Sequence, residues 1–322
     1  MKRIVTVTFN PAVDKSTMVE ELISEHKIHA SEPYYHAGGG GVNVVRALHN
    51  LGFPATAFYF KGGRMGAFFA DLLAVEKVTS IPINIMGATR ENFIVNERST
   101  GRQFRFGLPG PEISSDELND LFFQLKEIDH FDFLVVSGSL QSSVPMNIFD
   151  KLKAISVSKD AKIVVDTSGK ALESSLSTGV FLIKPSLREL ASLVGETKIN
   201  VKQAIEVARD LIRARKCEVI VISMGGRGAT LVTDKLTLMV HAPKVSVVST
   251  VGAGDSMLAG ILASLSRDDD YATAIQYGVA CGSAATLAPG TKLCTKKHVD
   301  ELFEQVKESG GATIDIFNDE PL

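Results

Sequence analysis

Ser249-Thr250-Val251-Gly252-Ala253-Gly254-Asp255-Ser256 runs directly into Met257-Leu258-Ala259-Gly260-Ile261-Leu262-Ala263. The second stretch is apolar and rich in small residues, so a buried helix is expected over 254–266. Two glycines let the backbone curl at its entrance. The first N–H groups of a helix lack internal partners and carry a partial positive charge, which favours an anion there. Asp255 stands at the edge of that site as a potential base. An anion site beside a carboxylate suits phosphoryl transfer to a hydroxyl. A plain helix start with Gly before it and Asp in its first turn is the other reading.

A second glycine-rich helix entrance, Ala37-Gly38-Gly39-Gly40-Gly41-Val42-Asn43, precedes a helix expected over Val42–Leu51. A lone four-glycine run is compatible with a flexible linker. Two such entrances, one carrying Asn43 and the other Asp255, read better as the two halves of one cleft.

The chain has 322 residues, 45% of them apolar and 22% charged, the profile of a soluble globular protein with a large core. Its formal net charge of −3 argues against binding nucleic acid through a global basic field. No apolar run reaches the roughly 18 residues a membrane helix needs, and Met1-Lys2-Arg3-Ile4-Val5 enters a strand pattern at once, without room for a signal peptide. Cys217, Cys281 and Cys294 show neither pairing nor metal-ligand spacing, and the histidines, His26 and His29 included, form no metal set. Reduced thiols and a cytoplasmic location are expected.

Short β-rich runs at Arg3–Phe9, Ala55–Phe60, Phe133–Ser137, Ile163–Asp166, Phe181–Lys184 and Val219–Ser223 alternate with helical patterns. Those lie at Met65–Ala74, Ser115–Ile128, Val144–Ser156, Leu187–Leu193 and Val201–Ala214, with three more at 254–266, 271–287 and 296–308. This alternation predicts a parallel sheet flanked by helices, with ligands beyond the carboxyl ends of the strands. Ser137-Gly138-Ser139, Asp166-Thr167-Ser168, Lys184-Pro185-Ser186 and Ser223-Met224-Gly225-Gly226 occupy such ends.

Residues 11–33 and 87–108 break the pattern. The second reads as a hairpin, Ala88–Asn96 and Arg102–Gly107, with Glu97 opposite Arg102. In that register Arg90, Asn92, Asn96, Gln103 and Arg105 share one face with the single apolar exception Ile94. Glu91, Phe93, Val95, Phe104 and Phe106 share the other. A lid is expected whose polar face covers a ligand and whose apolar face packs on a second subunit; a hairpin folded onto its own main domain is the alternative.

With these residues in view, the chain resembles the ribokinase-like, pfkB-type sugar kinases. Gly38-Gly39-Gly40-Gly41-Val42-Asn43 and Thr250-Val251-Gly252-Ala253-Gly254-Asp255 match the two halves of that family's signature, and the likeness runs from Ile4 to about residue 305. It implies a three-layer α/β fold with a mostly parallel sheet, in which 1–10, 34–86 and 109–308 form the main domain. Residues 11–33 and 87–108 would form the β lid, leaving 309–322 as a polar tail. It also implies ATP- and Mg²⁺-dependent phosphorylation of a sugar hydroxyl. Pro11-Ala12-Val13-Asp14, Gln103-Phe104-Arg105-Phe106, Val136-Ser137-Gly138-Ser139-Leu140 and Ser283-Ala284-Ala285-Thr286-Leu287 point to members that act at C1 of fructose 6-phosphate.

By the same resemblance Asp255 is the base, and the backbone of Gly252, Ala253, Gly254 and Asp255 is the anion hole. Asp14, Gly38, Gly39 and Asn43 hold the sugar hydroxyls. Ser139, Arg90 and Arg105 meet its phosphate, with Lys27 reaching it from the partner of a homodimer. Two guanidiniums on one face suit a dianion. Lys184, Ser223, Gly225, Gly228, Thr250 and Gly282 match the nucleotide side, and Glu189 orients the metal through water.

Departures are also legible. Ser186 stands where the family commonly has Asn, with a shorter reach, and Ala288-Pro289 replaces residues that are often polar. Relatives acting on fructose 1-phosphate usually carry Lys where this chain has Gly40. Tagatose-6-phosphate kinase and 1-phosphofructokinase activities remain open, as does a non-catalytic sugar-phosphate sensor. A dinucleotide-binding oxidoreductase is excluded because residues 8–15 lack its glycine fingerprint, and a P-loop transferase because no Gly-x₄-Gly-Lys-Ser/Thr occurs.

Overall fold

In the computed structural model, which describes residues 1–309 and 312–313, the chain begins with β1 (Ile4–Thr8), β2 (Ala12–Val19), β3 (Tyr34–Gly38), α1 (Gly40–Asn50), β4 (Ala55–Lys61), α2 (Gly63–Val75) and β5 (Ser80–Asn84). It continues through β6 (Arg90–Glu97), β7 (Gln103–Gly107), α3 (Ser115–Glu127), β8 (Phe133–Ser137), α4 (Ile148–Ser158), β9 (Lys162–Asp166), α5 (Gly169–Ser177) and β10 (Val180–Ile183). The last part comprises α6 (Leu187–Leu193), α7 (Val201–Arg213), β11 (Cys217–Ser223), β12 (Ala229–Val232), β13 (Thr237–Val240), α8 (Ala253–Leu265), α9 (Tyr271–Ala285), α10 (Lys296–Glu308) and β14 (Ala312–Thr313). The polar tail expected at 309–322 otherwise lies outside the described residues.

The main sheet has the order β14-β13-β12-β11-β10-β9-β8-β1-β4-β5. Every pairing from β11 to β5 is parallel, and β12 to β14 extend the edge antiparallel. Successive strand residues face opposite ways, so each central strand feeds two cores. In β8, Leu134 and Val136 join one cluster with Leu121 of α3, Leu152 of α4 and Ile205 of α7. Phe133 and Val135 join the other with Leu48 of α1, Leu258 and Ile261 of α8, and Ile275 of α9. Burial on both faces explains why these strands read as near-continuous apolar runs. Fully burying one such Leu or Ile contributes about 1.5–3 kcal/mol, so α8, with ten consecutive buried residues from Ser256 to Leu265, is anchored along its length.

A second, four-stranded sheet, β3-β2-β6-β7, stands over the carboxyl edge of the main one. Its β6–β7 hairpin has the expected register, with Ile94 opposite Arg105, Asn96 opposite Gln103, and Glu97 N–H bonded to Arg102 O. The domain boundary expected after residue 33 needs correction: Tyr34–Gly38 pairs antiparallel with β2 and belongs to the small sheet. Helix α4 also begins later than expected, at Ile148, after a turn around Val144-Pro145. Strands β5, β12 and β13 and helix α5 complete the alternation, being too short or too polar to stand out by periodicity.

Among the described residues the apolar face of the small sheet is covered only at its root. Val13 and Ala37 pack with Phe69 and Leu73 of α2, and Tyr35 meets the Phe68 ring edge-on. Further out Phe93 is 37% and Phe106 51% exposed, so the outer half of that face is open in a single chain.

Candidate active site

The functional junction forms as a left-handed turn at Gly252 (φ 75°) leading into α8. A Cβ there would lie 2.4 Å from Leu293 Cδ2, so both the dihedral and the space require glycine. The helix ladder opens with Ser256 N–H donating to Gly252 O at 2.8 Å, which leaves the preceding amides of the first turn outside it. Lys184, at the end of β10, lies against this turn: a Cβ on Gly254 would sit 3.3 Å from its Nζ.

Asp255 accepts a hydrogen bond from Asn43 Nδ2 at 2.8 Å, joining the two glycine-rich entrances. Its carboxyl is pushed up to about 6, chiefly by burial and then by the neighbouring charge of Asp166, against the opposing pull of Asn43 and Lys184. Lys184 is itself 6% exposed and pairs with Asp166 at 3.2 Å. Burial alone would lower the lysine, but Asp166 and Asp255 hold it above the usual range, so it stands as an ammonium. A protonatable carboxylate thus faces an ammonium across an amide-lined turn, the charge pattern for handling a phosphoryl group while taking up a proton.

The residues expected on the sugar side line the opposite wall. Asp14 of β2 is buried, accepts from Asn92 Nδ2 at 2.9 Å and Thr291 Oγ1 at 3.3 Å, and is raised by burial. Gly38 closes β3 against this carboxylate, and Gly39 is the residue before α1. Gly40 approaches a neighbouring strand end as tightly: a Cβ would fall 2.3 Å from Ser137 Oγ and 2.6 Å from Gly138 N. Arg90 donates to Asn10 O at 3.0 Å and Leu108 O at 2.9 Å. Ser139 Oγ accepts from Asn10 Nδ2 at 3.0 Å. Arg105, across on β7, donates to Thr250 Oγ1 at 3.0 Å, so the small sheet touches the α8 junction directly.

Ser223 ends β11 and bridges to Ser186, and Gly225 and Gly228 bound the short turn that follows. Ser186 caps α6: its Oγ accepts from Glu189 N–H at 3.2 Å, and Glu189 Oε2 accepts from Ser186 N–H at 2.8 Å. The serine is therefore the first half of a reciprocal helix cap. Ser186-Leu187-Arg188-Glu189 carries that signature in its sequence.

One expected site residue stands apart from this cluster, and another abuts the α8 entrance from α9. Lys27 is exposed on the loop joining β2 to β3 and belongs to none of the hydrogen bonds or ion pairs that knit the cleft within one chain. Gly282 directs the place of a side chain toward Ala253 O and Met257, at 3.2 and 3.3 Å, and so serves the packing of α9 on α8. Conversely, Thr291, Asn10 and Arg46 join the site without a role expected of them, and Asp166 and Asn92, expected only by position at a strand end and on a polar sheet face, find their partners there. Asp166 had a visible signal, its place at a strand end; Arg46 had another, a cation inside the apolar run from Val42 to Leu48.

Fold and site together define a phosphotransferase with an alcohol as acceptor. An amide-lined helix entrance holding a protonatable carboxylate, touched by Arg105 of a second small sheet, suits a sugar kinase. The chain belongs to the pfkB family of carbohydrate kinases, whose family model matches residues 7–298. Among curated proteins it is 37% identical over 307 residues to the ATP-dependent 6-phosphofructokinase isozyme 2 of Mycobacterium tuberculosis, covering 95% of this chain and 90% of that protein. It is 33% identical over 305 residues to the 1-phosphofructokinase of Borreliella burgdorferi, covering 94% and 97%. The crystal structure of Escherichia coli phosphofructokinase-2 in complex with fructose-6-phosphate superimposes with a TM-score of 0.90 at 33% identity, covering 95% of this chain and all of that one.

Proposed function

We propose that this kinase phosphorylates the C1 hydroxyl of fructose 6-phosphate, using MgATP, to give fructose 1,6-bisphosphate. The observation that carries the reading is the Asn43–Asp255 contact at the mouth of α8, where Arg105 of the small sheet reaches Thr250. The sugar hydroxyl attacks the γ-phosphorus, the bond from that phosphorus to the β-bridging oxygen breaks, and Asp255 receives the hydroxyl proton. The first-turn amides of α8 and the Lys184 ammonium balance the charge developing on the phosphoryl oxygens.

Gly40 favours a 6-phosphate over a 1-phosphate acceptor, because its contact with Ser137 leaves no room there for the lysine of the 1-phosphate enzymes. The two guanidiniums then take the 6-phosphate, and a substrate without it offers them no counter-charge. Among the described residues no group of three or more His, Cys, Asp or Glu side chains forms a metal cage. Glu189, whose Oε2 caps α6, and Asp166, paired with Lys184, both lie close enough to that lysine to act on its charge. They would hold a Mg²⁺ through its water ligands, and the ion would supply charge shielding for the nucleotide phosphates. The open apolar face of the lid suits a second copy of the chain, which would bring Lys27 to its partner's cleft. Free, buried cysteines and the lack of a helix long and apolar enough to cross a membrane among the described residues accord with a cytoplasmic enzyme.

Coupled ADP release with MgATP, comparing kcat/KM for fructose 6-phosphate, tagatose 6-phosphate, fructose 1-phosphate and fructose, tests this. Preference for fructose 6-phosphate is expected. Preference for another phosphosugar would move the substrate and keep the mechanism, and no turnover on any would overturn the catalytic reading.

A further inference from the structure

Arg46, on α1, is a buried cation, 3% exposed, that the mechanism above does not use. Its Nε and one terminal nitrogen donate to the two carboxylate oxygens of Glu76, each at 2.6 Å. The other terminal nitrogen faces Ala37 O at 2.8 Å, Thr291 O at 3.1 Å and Asn43 Oδ1 at 3.3 Å. Those three acceptors come from three segments, and each is one step from the reaction centre. Asn43 turns its Nδ2 to Asp255, Thr291 turns its hydroxyl to Asp14, and Ala37 precedes the glycine run.

We infer that Arg46 is a positioning residue for the transfer step, acting through the Asn43 amide, which it orients so that the amide nitrogen holds Asp255 toward the acceptor sugar. The inference rests on the kinase reading of the site. A guanidinium drawing on the Asn43 oxygen leaves the amide nitrogen, and only that nitrogen, for Asp255. Amide orientation is thus set from behind before substrate arrives. The planar fork is essential, since a lysine ammonium at this position reaches either Glu76 or the Asn43–Thr291 side and not both. Glu76 follows directly after α2, where the exposed carbonyl end of a helix disfavours a carboxylate. Its place there is explained by Arg46 and not by the helix it ends.

The test is a double-mutant cycle on the full-length enzyme, with Arg46→Lys, Asn43→Ala and the pair, and kcat referred to folded protein. If Arg46 acts through Asn43, Arg46→Lys lowers kcat by about 10²-fold, the scale of a small misplacement. KM for ATP stays within about twofold, because Lys184 and Ser223 are untouched, and in the Asn43→Ala background the same change costs less than about threefold. A loss of equal factor in both backgrounds, or unchanged kcat per folded molecule with only a lower Tm, assigns Arg46 to the scaffold and overturns the inference. Should Arg46→Lys fail to fold, Glu76→Gln at the 33%-exposed end of the pair enters the same cycle with the same criteria. An inactive wild type would fail the kinase reading itself, whereas an active wild type with an additive cycle fails only this inference.

Discussion

Asp255→Asn should abolish most turnover and yet make the protein more stable at neutral pH. The native site holds the Asp255 carboxyl at about 6 against an ordinary 3.8, so at pH 7.5 folding confines an ionised group where the protonated form is favoured. In the unfolded chain the same carboxylate ionises freely, which places the cost on the native state. Two units correspond to about 3 kcal/mol, and partial contact with solvent in the cleft reduces this to roughly 1–2 kcal/mol. The sign follows from proton uptake. As pH falls through 6 the native Asp255 binds a proton before the unfolded chain does, so the wild-type penalty fades toward pH 4 and is absent below it. Asparagine mimics the protonated form at every pH. Asp255→Asn is therefore expected to melt a few degrees above wild type at pH 7.5, with the gap roughly halved at pH 5, while kcat falls by about 10²–10⁴. Wild-type kcat/KM should in turn decline below about pH 6. Thermal melts of both proteins at pH 7.5 and 5, beside turnover at 7.5, decide it. A variant that melts at or below wild type at pH 7.5, or with a gap that does not change with pH, would refute a desolvated base at this position.

Two further outcomes are expected. Arg105→Ala should raise KM for the phosphorylated sugar about tenfold or more with a smaller change for ATP, measured by initial rates, because its guanidinium lies on the lid's polar face; a selective rise for ATP would contradict that placement. Phe104→Asp with Phe106→Asp should shift the sedimenting species toward monomer, since Phe106 is 51% exposed on a face that a second copy would cover; an unchanged sedimentation coefficient would remove the lid as the interface.

What the sequence determined by itself is whatever contiguous residues decide. Apolar runs of five residues alternating with 3.6-periodic segments dictated a doubly covered parallel sheet, because period and burial are properties of a local stretch. The α8 junction was legible for the same reason: two glycines, a carboxylate and a small-residue helix suffice to make an anion-favouring turn. Even the polar and apolar faces of the β6–β7 hairpin followed from a four-residue loop fixing register.

Only the tertiary structure decided which of these parts meet. Asn43 and Asp255 are 212 residues apart, and their hydrogen bond depends on α1 and α8 packing side by side on one face of the sheet. Strand β3 looked like a lead-in to α1 until its pairing with β2 placed it in the lid. Asp166 found its meaning through Lys184 on the next strand, and Arg46 through Glu76 and Thr291, 30 and 245 residues away. No local signal carries such partners, because a buried charge is assigned its counter-charge by the packing that excludes water around both.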